Sequence, residues 1–153
     1  MSPVLPTPRN RAAFFTVVYP GAEPFLAAFL GSLEAQSHAA FDLIVGNDGL
    51  PGLDLAGSRL QARVLPLGGT PAEIREAGLR FVRDQGYEQV VLGDCDDFFS
   101  ANRVEVSLRL LQSWDVVVND LDLVDAAGGA LKPGYLSRRL GDGERVGPEH
   151  IRD

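Results

Sequence analysis

Three carboxylates stand within four residues at Asp94, Asp96 and Asp97, directly after the apolar run Val90, Val91, Leu92 and the glycine Gly93. Charges held this close conflict. Two carboxylates about 5 Å apart repel by roughly 3 kcal/mol at an effective dielectric of 20, but by under about 1 kcal/mol in bulk water. A cluster that is even partly buried therefore needs a cation, a proton or a ring of hydrogen-bond donors. A divalent metal is the simplest answer, because hard cations such as Mg²⁺ and Mn²⁺ prefer oxygen ligands and often bridge carboxylates to a phosphate.

The elements that position this loop can be read around it. The run at residues 90–92 suits a strand buried on both faces. Its acidic carboxyl end lies where open α/β sheets place their ligands. Upstream, residues 13–19 (AFFTVVY) are aromatic and β-branched, a strand ended by Pro20 and Gly21. Pro24 sits at the start of a helix, and Leu26, Phe29, Leu30 and Leu33 follow as its apolar face. Residues 41–46 (FDLIVG) form the next strand, closed by an Asn47-Asp48-Gly49 turn, and residues 62–67 a short third one.

Thr70, Pro71 and Glu73 spell a capping box with proline at the first helical position. The helix they open reaches about Gln85 and presents Ile74, Gly78, Phe81 and Val82 on one face. After the acidic loop, Asn102 and Glu105 are candidate caps for a third helix with a stripe of Val104, Leu108 and Leu111. Residues 116–118 read as a further apolar strand, and 127–129 as a turn. Strands alternating with helices predict an α/β domain, a mostly parallel sheet flanked by helices on both faces. Residues 1–11, rich in proline, read as a flexible lead-in to a single domain over 12–153.

Composition narrows the function. The 153 residues are 45% hydrophobic and 23% charged, ordinary for one globular domain. Fourteen basic residues against 21 acidic ones give a net charge of −7, which argues against a nucleic-acid or membrane-surface binder. The lone Cys95 supports no intramolecular disulfide, His38 and His150 are isolated, and there is no Cys/His metal pattern. No apolar stretch is long enough for a transmembrane segment or shaped like a signal peptide, so a cytoplasmic protein is expected. Neither G-x-G-x-x-G after the first strand nor G-x-x-x-x-G-K-[ST] is present, which disfavours a dinucleotide-binding enzyme and a P-loop NTPase.

With these motifs placed, the chain resembles the family 2 glycosyltransferases of the GT-A (Rossmann-like) fold. The matches come in family order over about 115 residues. Tyr19 ends the first strand, and the helix around LGSLEAQS follows. FDLIVGNDG resembles the family's second strand with its Asp-Asp-Gly-Ser turn, and IREAG the Ala-Arg-Asn-x-Gly helix start. VVLGDCDD resembles the Asp-x-Asp metal motif, and NDLDLVDAAG the strand and turn after it.

The resemblance implies roles residue by residue. Asp48 matches the turn aspartate that contacts the nucleotide base, and Arg75 the arginine beside base and phosphates. Asp94 matches the aspartate on the ribose, and Asp96 the one that binds Mn²⁺ or Mg²⁺ on the diphosphate. Tyr19 joins the nucleotide-binding set, and Asp94 the metal set. The implied partner is a UDP-, GDP- or dTDP-linked sugar, with an unknown acceptor. Leu50, Glu76 and Val17 depart from the family's Ser, Asn and Pro. Family members continue into an acceptor-binding half that holds the catalytic base, and neither Glu149 nor Asp153 matches it. The chain is therefore expected to be a truncated, donor-binding half.

Every one of these residues also has a structural explanation. Asp94 and Asp96 would serve as solvated loop acids, Asp97 as a cap, Asp48 as a turn former and Tyr19 as strand-end packing. Arg75 has Glu76 and Asp48 as possible ion-pair partners, and Cys95 reads as filler between the acids. A dehalogenase-like phosphatase would carry its Asp-x-Asp near the N-terminus, followed by Thr or Val. A receiver domain needs a lysine after a late strand, whereas Lys132 lies in a turn-rich segment. The alternative that stands is a non-catalytic nucleotide-binding or interaction module built on the same fold.

Overall fold

The computed structural model describes residues 10–135. Strands β1 (Ala12–Val18), β2 (Phe41–Asn47), β3 (Ala62–Pro66) and β4 (Gln89–Leu92) form one sheet in the order β3-β2-β1-β4. All three pairings are parallel, with Phe14 flanked by Leu43 on one side and Val91 on the other. The parallel sheet read from the sequence is found. β1 and β2 carry neighbours on both edges and helices on both faces, which is why their sequences are apolar without alternation.

Successive side chains leave a strand on opposite faces, so the strands feed two cores. Phe14, Val18, Leu43 and Val45 pack with Phe29 and Leu33 of α1 (Glu23–Glu34) and with Val104 and Leu108 of α3 (Arg103–Leu110). Phe14 also meets the Phe99 ring at 5.2 Å between centroids. On the other face, Phe15 and Ile44 pack with Val82 of α2 (Pro71–Asp84) and with Tyr87. The amino end of β2 is fixed by the fully buried Asp42, which accepts hydrogen bonds from Tyr87 Oη (2.8 Å) and Asn10 Nδ2 (2.7 Å).

The capping box of α2 forms as the sequence predicts. The Glu73 N–H donates to Thr70 Oγ1 at 3.4 Å, and the Thr70 N–H donates to the Glu73 carboxylate at 2.8 Å. The Thr70 N–H first, and then the Thr70 hydroxyl, which also donates to the carboxylate at 2.8 Å, hold the Glu73 carboxyl below its ordinary pKa. Gly78 brings the helix close to the sheet, because a Cβ there would lie 2.1 Å from Phe15 Cζ.

Two expectations are corrected. Neither Asn102 nor Glu105 caps α3 through its side chain: Asn102 accepts from Ser100 Oγ and Glu105 from Ser37 Oγ. Gln36, just past α1, takes that role. Its Oε1 accepts the Val104 N–H at 2.9 Å, and its Nε2 donates to the carbonyls of Ser100 (2.8 Å) and Ser32 (3.0 Å). Residues 116–118 are not a strand either; Val116 is 76% exposed and Val118 64%. A strand needs a ladder partner, and among the described residues no strand pairs with this run.

The chain divides into two compact units, Met1–Asp115 and Val116–Asp153. In the second, β5 (Leu123–Val124) and β6 (Ala130–Lys132) pair antiparallel around the expected turn. Asp125 closes that turn, its Oδ1 accepting the N–H groups of Ala127 and Gly129, both at 2.8 Å. Among the described residues no helix is long and apolar enough to cross a membrane. Residues 1–9 of the expected lead-in, together with Glu149, His150 and Asp153, lie outside the described residues.

Candidate functional site

Because β1, β2 and β4 run parallel, their carboxyl ends share one edge of the sheet. Tyr19 follows β1, the Asn47-Asp48-Gly49 turn follows β2, and the acidic loop follows β4. The turn is tied to its neighbour by the Asp48 N–H, which donates to the Val18 carbonyl at 2.8 Å. Asn47 closes it: its Oδ1 accepts from the Leu50 N–H at 2.8 Å, and its Nδ2 donates to the Leu50 carbonyl at 3.0 Å. Gly49 takes φ +78°, a conformation other residues rarely adopt. Leu50 is buried in the core, a packing reason for an apolar residue at this position.

The acidic loop is built from inside. A Cβ on Gly93 would fall 2.5 Å from Phe99 Cζ and 2.6 Å from Phe14 Cζ, so the two rings close over a bare backbone. Cys95 is fully buried in the same core, and its thiol is pushed up to about 11, by burial first and then by the Asp96 charge. Asp94 and Asp96, on either side of it, are exposed. Cys95 is thus more than filler, since its inward anchor leaves both flanking carboxylates facing water. Lost hydration raises the pKa of Asp97 most, followed by the like charges of Asp96 and Asp94.

Two further residues join this loop. The Tyr19 hydroxyl is raised above its ordinary pKa chiefly by the Asp96 charge, with smaller contributions from burial, Cys95 and Asp94. Arg75, near the start of α2, reaches Asp94, with Nη2 to Oδ1 at 3.2 Å. Neither of the partners anticipated for Arg75 is used; Glu76 pairs with Arg80 instead, at 2.6 Å. Tyr19, Arg75, Asp94 and Asp96 therefore stand together, with Asp48 next to them along the strand ends.

Arg75 and Asp94 line a shallow cleft with Thr16, Val17, Leu79 and Leu92. Thr16 is only 2% exposed, and its Oγ1 has no hydrogen-bond partner among the described residues. Sequence reading did not single out Thr16, Leu79 or Leu92. A threonine in the middle of AFFTVVY was a visible signal for the first, but Leu92 read as part of a buried strand and Leu79 lay off the helix face taken as apolar.

Among the described residues no three or more His, Cys, Asp or Glu side chains converge to cage a metal. The donor set fits a different kind of site. Mg²⁺-type ions are commonly held by one or two carboxylates and complete their shell with water and substrate phosphate. Asp94 and Asp96 are exposed oxygen donors that flank Cys95 in one loop, a set of one or two carboxylates open to water and phosphate.

No family model matches the sequence, and no curated protein matches it. Solved structures do resemble it. The structure of S. aureus TarS 1–349 in complex with UDP-GlcNAc superposes with a TM-score of 0.51 at 19% identity, over 66% of this chain and 31% of that one. The same protein in complex with UDP gives 0.49 and 18%, over 66% and 32%. The chain thus spans about a third of the TarS 1–349 length. At this identity the likeness concerns the fold alone, a mostly parallel, Rossmann-like sheet flanked by helices.

Proposed function

We propose that this chain is the donor-binding part of a glycosyltransferase, holding a nucleotide-diphosphate sugar for transfer of the sugar to an acceptor hydroxyl. One observation carries the reading. Tyr19, Asp48, Arg75, Asp94 and Asp96 come to one edge of a parallel sheet from four separate segments, on a fold that resembles TarS, itself solved with UDP-GlcNAc. Parallel topology alone brings these loops to one edge; what favours a ligand is their content, with Arg75 paired to Asp94 and Tyr19 beside Asp96.

In this reading Asp48 accepts a hydrogen bond from the base, and Tyr19 packs beside it. Arg75 faces the phosphates, for which its planar fork of donors is suited. Asp94 reaches the ribose and, with Asp96, would hold Mn²⁺ or Mg²⁺. A divalent ion bound there supplies Lewis-acid stabilisation to the departing nucleoside diphosphate. The reaction is a direct displacement: the acceptor oxygen attacks the anomeric carbon as the bond to the diphosphate breaks. The base that takes the acceptor proton is assigned outside this chain.

The test is calorimetry of the chain with UDP-, GDP- and dTDP-linked sugars, with and without Mn²⁺. Binding should be weak and tightened by Mn²⁺, and Asp96→Ala should abolish that tightening. Undiminished metal dependence in Asp96→Ala would remove Asp96 from the site. Failure of every nucleotide sugar to bind would favour the interaction-module reading.

A further inference from the structure

Arg75 and Asp94 occupy each other in the free protein. Both side chains are more than half exposed, so burial does not force them together. Local electrostatics gives Arg75 no help either. It lies near the amino end of α2, where the helix dipole disfavours a cation, and its neighbour Glu76 is taken by Arg80. Asp94 is the partner that offsets this, and it is also the aspartate nearest the cleft that both residues line.

We infer that Arg75 makes the site select a metal–nucleoside diphosphate complex over the free metal ion. The inference rests on the donor-binding reading above. A free divalent cation approaching Asp94 must displace a guanidinium and then remain beside its positive charge. A metal–diphosphate complex is net anionic and presents phosphate oxygens. It frees Asp94 by giving Arg75 a better partner, because arginine pairs with phosphate through paired, charge-assisted hydrogen bonds. The same residue therefore opposes the bare ion and favours the loaded nucleotide, so metal and nucleotide enter together. Sequence alone gave no sign of this, because Asp94 and Arg75 are 19 residues apart and their pairing follows from the packing of α2 on β1 and β2, with β4 paired to β1.

The experiment is titration calorimetry of wild type, Arg75→Gln and Arg80→Gln with Mn²⁺ alone, and with UDP, GDP and dTDP in saturating Mn²⁺. Circular dichroism confirms that each variant is folded. Exposed ion pairs are weak, so Arg75→Gln should tighten free Mn²⁺ by about twofold to fivefold. It should weaken the Mn²⁺–nucleotide complex by about tenfold, the loss expected for a charged hydrogen bond. Arg80→Gln removes the same charge from the same helix and should change neither. Opposite movement of the two constants in Arg75→Gln supports the inference. Wild-type binding of Mn²⁺–nucleotide with free-ion affinity unchanged or weakened in Arg75→Gln overturns the inference alone. A wild type that binds none of the three nucleotides with Mn²⁺ overturns the donor-binding reading and the inference with it. Equal effects of Arg75→Gln and Arg80→Gln would reduce Arg75 to general charge and overturn it too.

Discussion

Substituting Gly78 with alanine tests how α2 is held against the sheet, and so how Arg75 is presented. The Cβ added by Gly78→Ala would lie 2.1, 2.4 and 2.9 Å from Phe15 Cζ, Cε2 and Cε1. Carbon atoms in contact sit at about 3.5–4.0 Å, so helix and ring must separate by more than about 1 Å. Phe15 cannot yield freely, since it is 3% exposed and packed in the core with Ile44, Val82 and Tyr87. Overpacking of this kind costs about 1–3 kcal/mol. Alanine's better helix propensity returns about 0.5–1 kcal/mol. A contact as short as 2.1 Å puts the overpacking cost in the upper half of its range, about 2–3 kcal/mol. The expected net loss is therefore about 1–2.5 kcal/mol, a fall in Tm of about 2–10 °C for a chain of this size.

Gly31, in α1, is the internal control. A Cβ there meets nothing within 4 Å, so Gly31→Ala should gain about 0.5–1 kcal/mol. Urea unfolding of both variants gives the comparison directly, and Gly78→Ala with Phe15→Leu should show a smaller loss than the two single changes added together. A Gly78→Ala protein as stable as wild type, or more so, would refute the close contact between α2 and β1. Because Arg75 lies one turn from Gly78, the same variant should also weaken Mn²⁺–nucleotide binding.

Two further outcomes are expected. Gln36→Leu leaves the buried Val104 N–H without its acceptor and should cost about 1–3 kcal/mol in urea unfolding, whereas Asn102→Ala should cost clearly less, because its side chain caps nothing. Asp97 carries a pH signature. Its folded pKa is raised, so its contribution to stability is fully present below the unfolded value of about 3.9 and is lost as pH rises through the folded value. Asp97→Asn should therefore raise the urea midpoint at pH 7, with the advantage shrinking towards pH 4; an equal advantage at both would assign it to something other than ionisation.

Much of the fold was legible because local physics is local. The apolar runs of β1 and β2 announce strands buried on both faces, and the Thr70-Pro71-Glu73 signal starts α2 through bonds between neighbours in sequence. β4 is a strand as read but not buried on both faces, since it stands last in the described sheet and Leu92 is 50% exposed. Alternation of strands and helices then leaves little but a parallel sheet, which by itself brings the Asp48 turn and the Asp94–Asp97 loop to one edge. What failed was local reasoning applied to non-local partners. Asn102 and Glu105 had cap-like spacing, but Gln36 reaches the orphan N–H from another helix. Val116, Val117 and Val118 had strand composition without a strand to pair with among the described residues.

The site divides the same way. Carboxylate identity and spacing in the acidic loop are sequence facts, as is the carboxyl-end position after an apolar run. Only the tertiary structure decided that Cys95 turns inward and leaves Asp94 and Asp96 facing water, that Asp96 lies by Tyr19, and that Arg75 pairs with Asp94 rather than with Glu76 or Asp48. The physical reason is that a side chain's partner is set by which backbones pack together. For Arg75 that is fixed by Gly78 against Phe15, a contact between two residues 63 positions apart that no local pattern encodes.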